Sequence, residues 1–239
     1  MKFFKVKTRK VVPPKDSIYD ILDKLKLKDK DVLVITSKIL GIHQGRGIKI
    51  SDKVDKRQLV KREADYFMKS AHVSQRKFNL TIIYNTFLAS AGIDESNGNG
   101  YYVLLPKNVN KLLKEFWRHL RKKNKIKNLG LIATDSQSVP LRRGTLGVAI
   151  GFYGFEPQKD YIGKPDIFGR KLKYTKTDIP DALASGANLV MGEGDECTPV
   201  CIVRDINVKF TFKPRYRRLV MPIKYDLFFP ILRGFKKAK

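Results

Sequence analysis

At 239 residues, 42% of them hydrophobic, the chain can bury a full-sized core, and disorder is excluded as its native condition. Its 49 lysines and arginines face 23 acids, a net charge of +26, which suits an anionic partner or a lysine-rich surface in general. No apolar run is long enough to span a membrane, and the opening MKFFKVKTRK has no secretory core, so a cytoplasmic protein is expected. Cys197 and Cys201 read as free thiols in a reducing compartment, and His43, His72 and His119 lack the spacing of a zinc site.

Alternation over residues 3–8 predicts a strand. Asp16 or Ser17 is placed to cap a helix carrying Ile18, Ile21, Leu22 and Leu25 at the helical period. A short buried strand follows at 32–35 and leads into Thr36-Ser37-Lys38. Residues 51–70 predict a polar, charged helix, with strands at 80–84 and 101–105. Val109, Leu112, Leu113, Phe116 and Leu120 form one face of a helix whose other face is basic. Strands are expected at 129–133 and 200–203, a strand or close-packed segment at 147–155, and a helix at 180–190. This mixture has no regular βαβ cadence, so the fold class is α+β, with mixed sheets and packed helices. The division expected is a catalytic unit over 1–206, in one or two intertwined parts, and a basic aromatic extension over 207–239 whose final lysines, Lys236, Lys237 and Lys239, fray.

Three stretches, 78–106, 128–141 and 177–203, contain no lysine or arginine, and each holds an acidic cluster: AGIDESN, TDS and MGEGDE. Carboxylates without nearby bases are free to hold another positive partner, and a divalent cation is the obvious one. Asp94 sits in a loop after a strand, Asp135 at a strand end, and Glu193 after a helix C-terminus beside a glycine pair. Side chains from different elements converge on pockets at such positions. Taken singly, each cluster reads better as a turn or a cap, and it is the three together in base-free stretches that point to a site. Magnesium or manganese held this way would bind nucleotide phosphates.

Ser37 and Lys38 offer a hydroxyl and an ammonium to phosphate, although there is no GxxxxGK[ST] and hence no P-loop. Arg142 and Arg143 add guanidinium forks for carboxylate or phosphate, or a solvated turn. Residues 163–175 read as an ordered loop that covers a substrate or joins two elements.

The segments VLVITSK, AGIDESN, TDSxxxPLRRG, GVAIGxxGFxP, GKPDIFGR and LVMGEGDECTP occur in an order that resembles the coenzyme F420-0:L-glutamate ligase family, including its folate-metabolism branch. The resemblance implies a γ-glutamyl ligase, dependent on GTP or ATP, that joins L-glutamate to a carboxylate of an anionic cofactor through an acyl phosphate. It implies two divalent cations, Mg or Mn, with potassium as a further candidate, and a homodimer. Carried onto this sequence, Asp94 and Asp135 hold one cation, and Ser136 and Glu193 the other. Ser37, Lys38, Asn97 and the Met191–Thr198 loop (Met191, Gly192, Gly194, Asp195, Glu196, Thr198) contact the nucleotide, and Asp94, Asp135 and Arg142 are the catalytic candidates. Where relatives commonly carry Phe-Gly-Arg after the TDS position, this chain has Gln137-Ser138-Val139, and a family lysine falls at Ile42. These departures lean towards the folate-like branch. The competing class is a nucleic-acid-binding protein that uses the basic surface, and a third reading is a nucleotide-binding fold without catalysis.

Overall fold

The computed structural model describes residues 1–68 and 79–238. His72, residue 78, the last two residues of the expected 51–70 helix and Lys239 lie outside the described residues. The elements run β1 (Lys2–Val6), α1 (Tyr19–Asp23), β2 (Asp31–Thr36), α2 (Ser37–His43), β3 (Gly47–Lys49), α3 (Lys56–Glu63), β4 (Tyr66–Phe67), β5 (Leu80–Ile83), β6 (Thr86–Ala89) and β7 (Tyr101–Val103). They continue as α4 (Val109–Asn124), β8 (Leu129–Gln137), β9 (Leu146–Tyr153), β10 (Gln158–Asp160), β11 (Lys176–Asp178), α5 (Ile179–Met191), β12 (Val200–Arg204), α6 (Phe229–Leu232) and β13 (Lys236–Lys237). The class is α+β.

The central sheet has five strands in the order β1-β12-β2-β8-β9. Only β2 and β8 are parallel neighbours. Strand alternation divides its side chains between two cores. Leu33, Ile35, Leu131, Ala133, Val148 and Ile150 pack on one face with α1 and α4. Val32, Val34, Ile132 and Ala149 pack on the other with Leu183, Ala184, Ala187 and Met191 of α5. A β-carbon at Gly147 would lie 2.4 Å from the Ala184 carbonyl oxygen, so glycine there lets α5 lie directly on β9. A four-stranded sheet, β13-β4-β5-β6, forms a separate layer around Ile82, Leu232 and Phe235.

Several local expectations change. Helix α1 begins after Ile18, which makes no side-chain cap bond; Asp16 is taken by the Arg9 guanidinium and the Val12 amide, while Ser17 Oγ accepts from the Tyr19 amide at 3.4 Å. The helix expected over 51–70 is only Lys56–Glu63. Asp55 caps it through the Arg57 and Gln58 amides, and the chain then extends at the fully buried Ala64 so that Tyr66 can pair with Ile82. Strand β8 runs past Ala133, so Thr134, Asp135 and Ser136 lie within it rather than beyond it. Lys236 and Lys237, expected to fray, pair with Phe67 and Tyr66. Helix α2 and strand β6 carry no clear period and emerge only in the structure. No helix among the described residues is long and apolar enough to cross a membrane.

Candidate functional site

Strands β2 and β8 run parallel from Asp31↔Leu129 to Thr36↔Thr134, so their carboxyl ends reach the same edge of the sheet. Residues just beyond paired parallel strand ends share a crevice, a recurrent place for ligands. Ser37 and Lys38 leave β2 there, beside Asp135 and Ser136 of β8. Strand β12 is antiparallel to β2 and starts at Val200 opposite Ile35, so the 192–199 loop enters at the same edge. Strand β1 in turn delivers Thr8, whose amide donates to the Cys197 carbonyl at 2.8 Å.

The result is a cavity of about 810 Å³. Ser37, Lys38, Asp94, Asn97, Asp135, Ser136, Met191, Gly192, Glu193, Gly194, Asp195, Glu196 and Thr198 all line it. Arg142 does not. It lies in the exposed turn between β8 and β9, where its amide donates to Val139. Thr145 of that turn donates to Glu193 Oε1 at 3.1 Å, so the turn belongs to the rim.

Within the cavity the acids fall into two subsites on either side of β8, because successive residues of a strand point oppositely. Asp135 Oδ1 accepts from the buried Ser37 hydroxyl at 2.6 Å. Ser136 points the other way and donates to Glu193 Oε1 at 2.7 Å. Asp94, in the loop after β6, completes the first subsite. It accepts from the Lys38 ammonium at 2.6 Å on Oδ2 and from the Ser96 amide and hydroxyl, at 2.8 and 2.9 Å, on Oδ1.

The electrostatics of the first subsite are unbalanced. Burial, reinforced by the like charge of Asp94, pushes the Asp135 carboxyl up to about 6 against the opposing Ser37 hydroxyl. Burial also works to raise Asp94, but the Lys38 bond and charge and the Ser96 donors outweigh it and hold that carboxyl below its ordinary value. Two carboxylates close enough to feel each other's charge, with a single ammonium bonded to Asp94, fit a further cation. Among the described residues no three His, Cys, Asp or Glu side chains form a ready-made cage, so a cation in either subsite would draw on two protein groups and on its other partners.

The loop geometry depends on particular backbone positions. Ser90 and Ala91 precede Asp94 with φ of 51° and 54°, the left-handed region that costs a non-glycine residue energy. Thr81 pins this turn by accepting from the Ala91 amide at 2.8 Å. Asn97 donates to the Gly194 carbonyl at 2.9 Å and so ties the first acidic loop to the third. Gly192 ends α5 with φ 81°, and a β-carbon there would strike the Glu196 carboxylate at 2.2 Å. Thr198 closes the loop on the Met191 carbonyl.

Sequence reasoning missed two groups. Asn188 donates to Glu193 Oε1 at 2.9 Å, which gives that oxygen three donors with Ser136 and Thr145. An asparagine late in a helix carries no signal of this. Thr8, Arg9, Lys10 and Val11 also line the cavity, brought there by the pairing of β1 with β12. The ordered 163–175 loop is built as expected, with Asp166 Oδ1 accepting from the Phe168 and Arg170 amides at 2.9 Å each. It does not line the cavity.

The family model described as F420-0:Gamma-glutamyl ligase matches residues 5–205, a span that contains every residue of the two acidic subsites. A Methanocaldococcus jannaschii protein named coenzyme F420:L-glutamate ligase is 32% identical over 229 residues, covering 89% of this chain and 90% of the relative. A Methanopyrus kandleri protein of the same name is 33% identical, covering 90% of this chain and 88% of its own length. One from Methanosarcina mazei is 31% identical over 81% of this chain and 84% of its own. The chain belongs to the F420-0:Gamma-glutamyl ligase family.

Proposed function

We propose that the protein is a γ-glutamyl ligase that uses a nucleoside triphosphate and divalent cations to join L-glutamate, by an amide bond, to a terminal carboxylate of a cofactor. The observation that carries this reading is the cavity itself, which holds Asp94 and Asp135 with Lys38 and Ser37 in one subsite, and Ser136 with Glu193 in a second. The family description favours coenzyme F420-0 as acceptor and the names of the relatives a form of coenzyme F420, while the TDSQSVPLRRG segment keeps a folate or pteroate acceptor in the comparison.

In the proposed reaction an acceptor carboxylate oxygen attacks the γ-phosphorus and the nucleoside diphosphate leaves. The glutamate amine nitrogen then attacks the acyl carbon of the resulting acyl phosphate and phosphate departs. Catalysis of this kind is positioning plus charge stabilisation. Asp94 and Asp135 would hold one cation, and Ser136 and Glu193 the other. When bound, such cations neutralise negative charge developing on the transferred phosphoryl group. Ser37 fixes the Asp135 carboxylate from behind. Lys38 supplies a mobile positive charge for phosphate oxygens. The Met191–Thr198 loop, held by Thr198 and Asn97, forms one wall against the nucleotide. Arg142 on the rim would draw the anionic acceptor inward.

The test is incorporation of labelled glutamate with GTP or ATP, with F420-0, dihydropteroate and folate compared as acceptors. Asp135→Asn is expected to lower turnover by at least about a hundredfold, since a neutral amide binds a divalent cation more weakly than a carboxylate and does not balance its charge. Undiminished turnover in that variant rules out Asp135 as a cation ligand, and no incorporation with any acceptor rules out the ligase.

A further inference from the structure

Helix α2 places neighbouring residues on the two carboxylates of the first subsite: Ser37 on Asp135 and Lys38 on Asp94. The two contacts differ in kind. Ser37 is buried and short, and its hydroxyl has little freedom. Lys38 reaches across on a flexible four-carbon stem with its side chain 24% exposed. Its ammonium meets Asp94 Oδ2 at 2.6 Å, the Ser96 carbonyl at 2.8 Å and the Ser96 hydroxyl at 3.2 Å. Asp94 Oδ1 is held by Ser96 from two residues along the same loop, at 2.8 and 2.9 Å. Both carboxylate oxygens are therefore engaged, and the Lys38 bond is the one that can open without unfolding the loop.

We propose that Lys38 is a displaceable counter-cation: it competes with a divalent cation for Asp94, and once displaced it pairs with the nucleotide's phosphates, so that cation and nucleotide strengthen each other's binding. The inference rests on the reading of Asp94 and Asp135 as cation ligands. Its physics is a charge count. A divalent cation arriving beside an ammonium meets repulsion and an occupied oxygen. A polyphosphate arriving with it gives the ammonium a new partner within the same cavity, and this lowers the cost of displacement. The coupling is reciprocal: the factor by which nucleotide tightens cation binding equals the factor by which cation tightens nucleotide binding.

Manganese binding to the full chain, followed by electron paramagnetic resonance with and without a non-hydrolysable nucleotide analogue, tests this. Lys38→Met is expected to bind manganese alone at least about tenfold more tightly than the unaltered protein, because the competing charge is gone. The analogue is then expected to tighten manganese binding less than it does in the unaltered protein. Lys38→Gln repeats the loss of charge while keeping a donor for Ser96, and Lys38→Arg keeps the charge and should behave as the unaltered protein does. In chelator the neutral variants should melt at lower temperature, with manganese restoring more of the loss than in the unaltered chain. If Asp135→Asn removes the manganese ion of the Asp94–Asp135 subsite but Lys38→Met and Lys38→Gln bind manganese there no more tightly than the unaltered protein, Lys38 is not a competitor and the proposal fails while the cation site stands. If Asp135→Asn leaves manganese binding unchanged, the cation site fails and the proposal falls with it.

Discussion

At the residue scale, the acids of the site were legible because their neighbourhoods in sequence exclude bases in a chain carrying +26. Asp94, Asp135 and Glu193 each stand in such a stretch, and all three line one cavity. The groups that aim them were not legible. Asn188 looks like any polar residue on a helix, and its contact with Glu193 exists only because the Gly192 turn folds the chain back over the last turn of α5. Among the described residues, all of the hydrogen bonds that Glu193 accepts fall on Oε1, which leaves Oε2 for another partner. Groups that orient a ligand carboxylate commonly contribute about ten- to a hundredfold to cation affinity. Asn188→Ala should therefore weaken manganese binding at the second subsite by about tenfold while leaving the Asp94–Asp135 subsite unchanged. Two-site manganese titration checks this, and equal weakening of both subsites would point to a general loosening of α5 instead.

At the scale of elements, long periodic segments such as α4 and α5 were readable, because a continuous apolar face at the helical period has only one regular solution. Short elements were not. The seven residues of α2 follow a strand without a turn signal, and tertiary pairing with Ile82 converts the end of the expected 51–70 helix into β4. Helix α5 also carries a charge feature invisible in sequence. Asp178 caps it through the Asp181 amide at 3.1 Å, while Asp181 Oδ1 accepts from the Ala149 amide of β9 at 2.9 Å. Burial, with the charge of Asp181, pushes the Asp178 carboxyl from 3.8 up to about 7. A carboxyl whose folded value is raised binds its proton more tightly when folded, so its contribution to stability is full below about 4 and is lost as pH rises through about 7. Asparagine caps a helix about as well as aspartate and does not titrate. Asp178→Asn should thus gain about 1 kcal/mol over the unaltered protein at pH 8, after allowance for solvent screening, with the advantage shrinking below pH 5. Urea midpoints at the two pH values measure it, and a pH-independent difference would mean that Asp178 does not titrate in this range.

At the scale of the whole molecule, the basic aromatic stretch after residue 206 read as an appendage because its composition departs from the rest, yet its side chains run along several elements. Its backbone joins the end of β9: the Glu156 amide donates to Lys209 at 2.8 Å, Thr211 donates to Gly154 at 2.9 Å, and Phe210 bridges to Phe155, which is fully buried. The Arg121 guanidinium of α4 lies 4.2 Å from the Trp117 ring centroid and 4.8 Å from that of Phe212, a cation shared by two rings that meet at a steep angle 5.5 Å apart. The nearly buried Glu156 has Arg215 and Arg218 at 3.4 and 3.8 Å as its ion-pair partners. Farther on, Leu232 and Phe235 pack on Ile82, and Lys236–Lys237 close the edge of the sheet containing β4. Composition shows none of this, because a long-range strap differs from a loose tail only in what it touches. Removing 207–239 would expose Phe152 and Phe155, strip Glu156 of its counter-charges and uncover β4 at once. A buried carboxylate that loses its partner alone costs about 3–5 kcal/mol, and domains of this kind hold only about 5–15 kcal/mol in total. A chain ending at Ile206 should consequently lose most of its stability, with a broad unfolding transition and a reduced dependence on urea. Circular dichroism through a urea series decides the matter. A truncated chain with the same midpoint and slope as the full one would make the strap an independent appendage, and a milder Glu156→Gln variant then separates the loss of the ion pairs from the loss of the apolar cover.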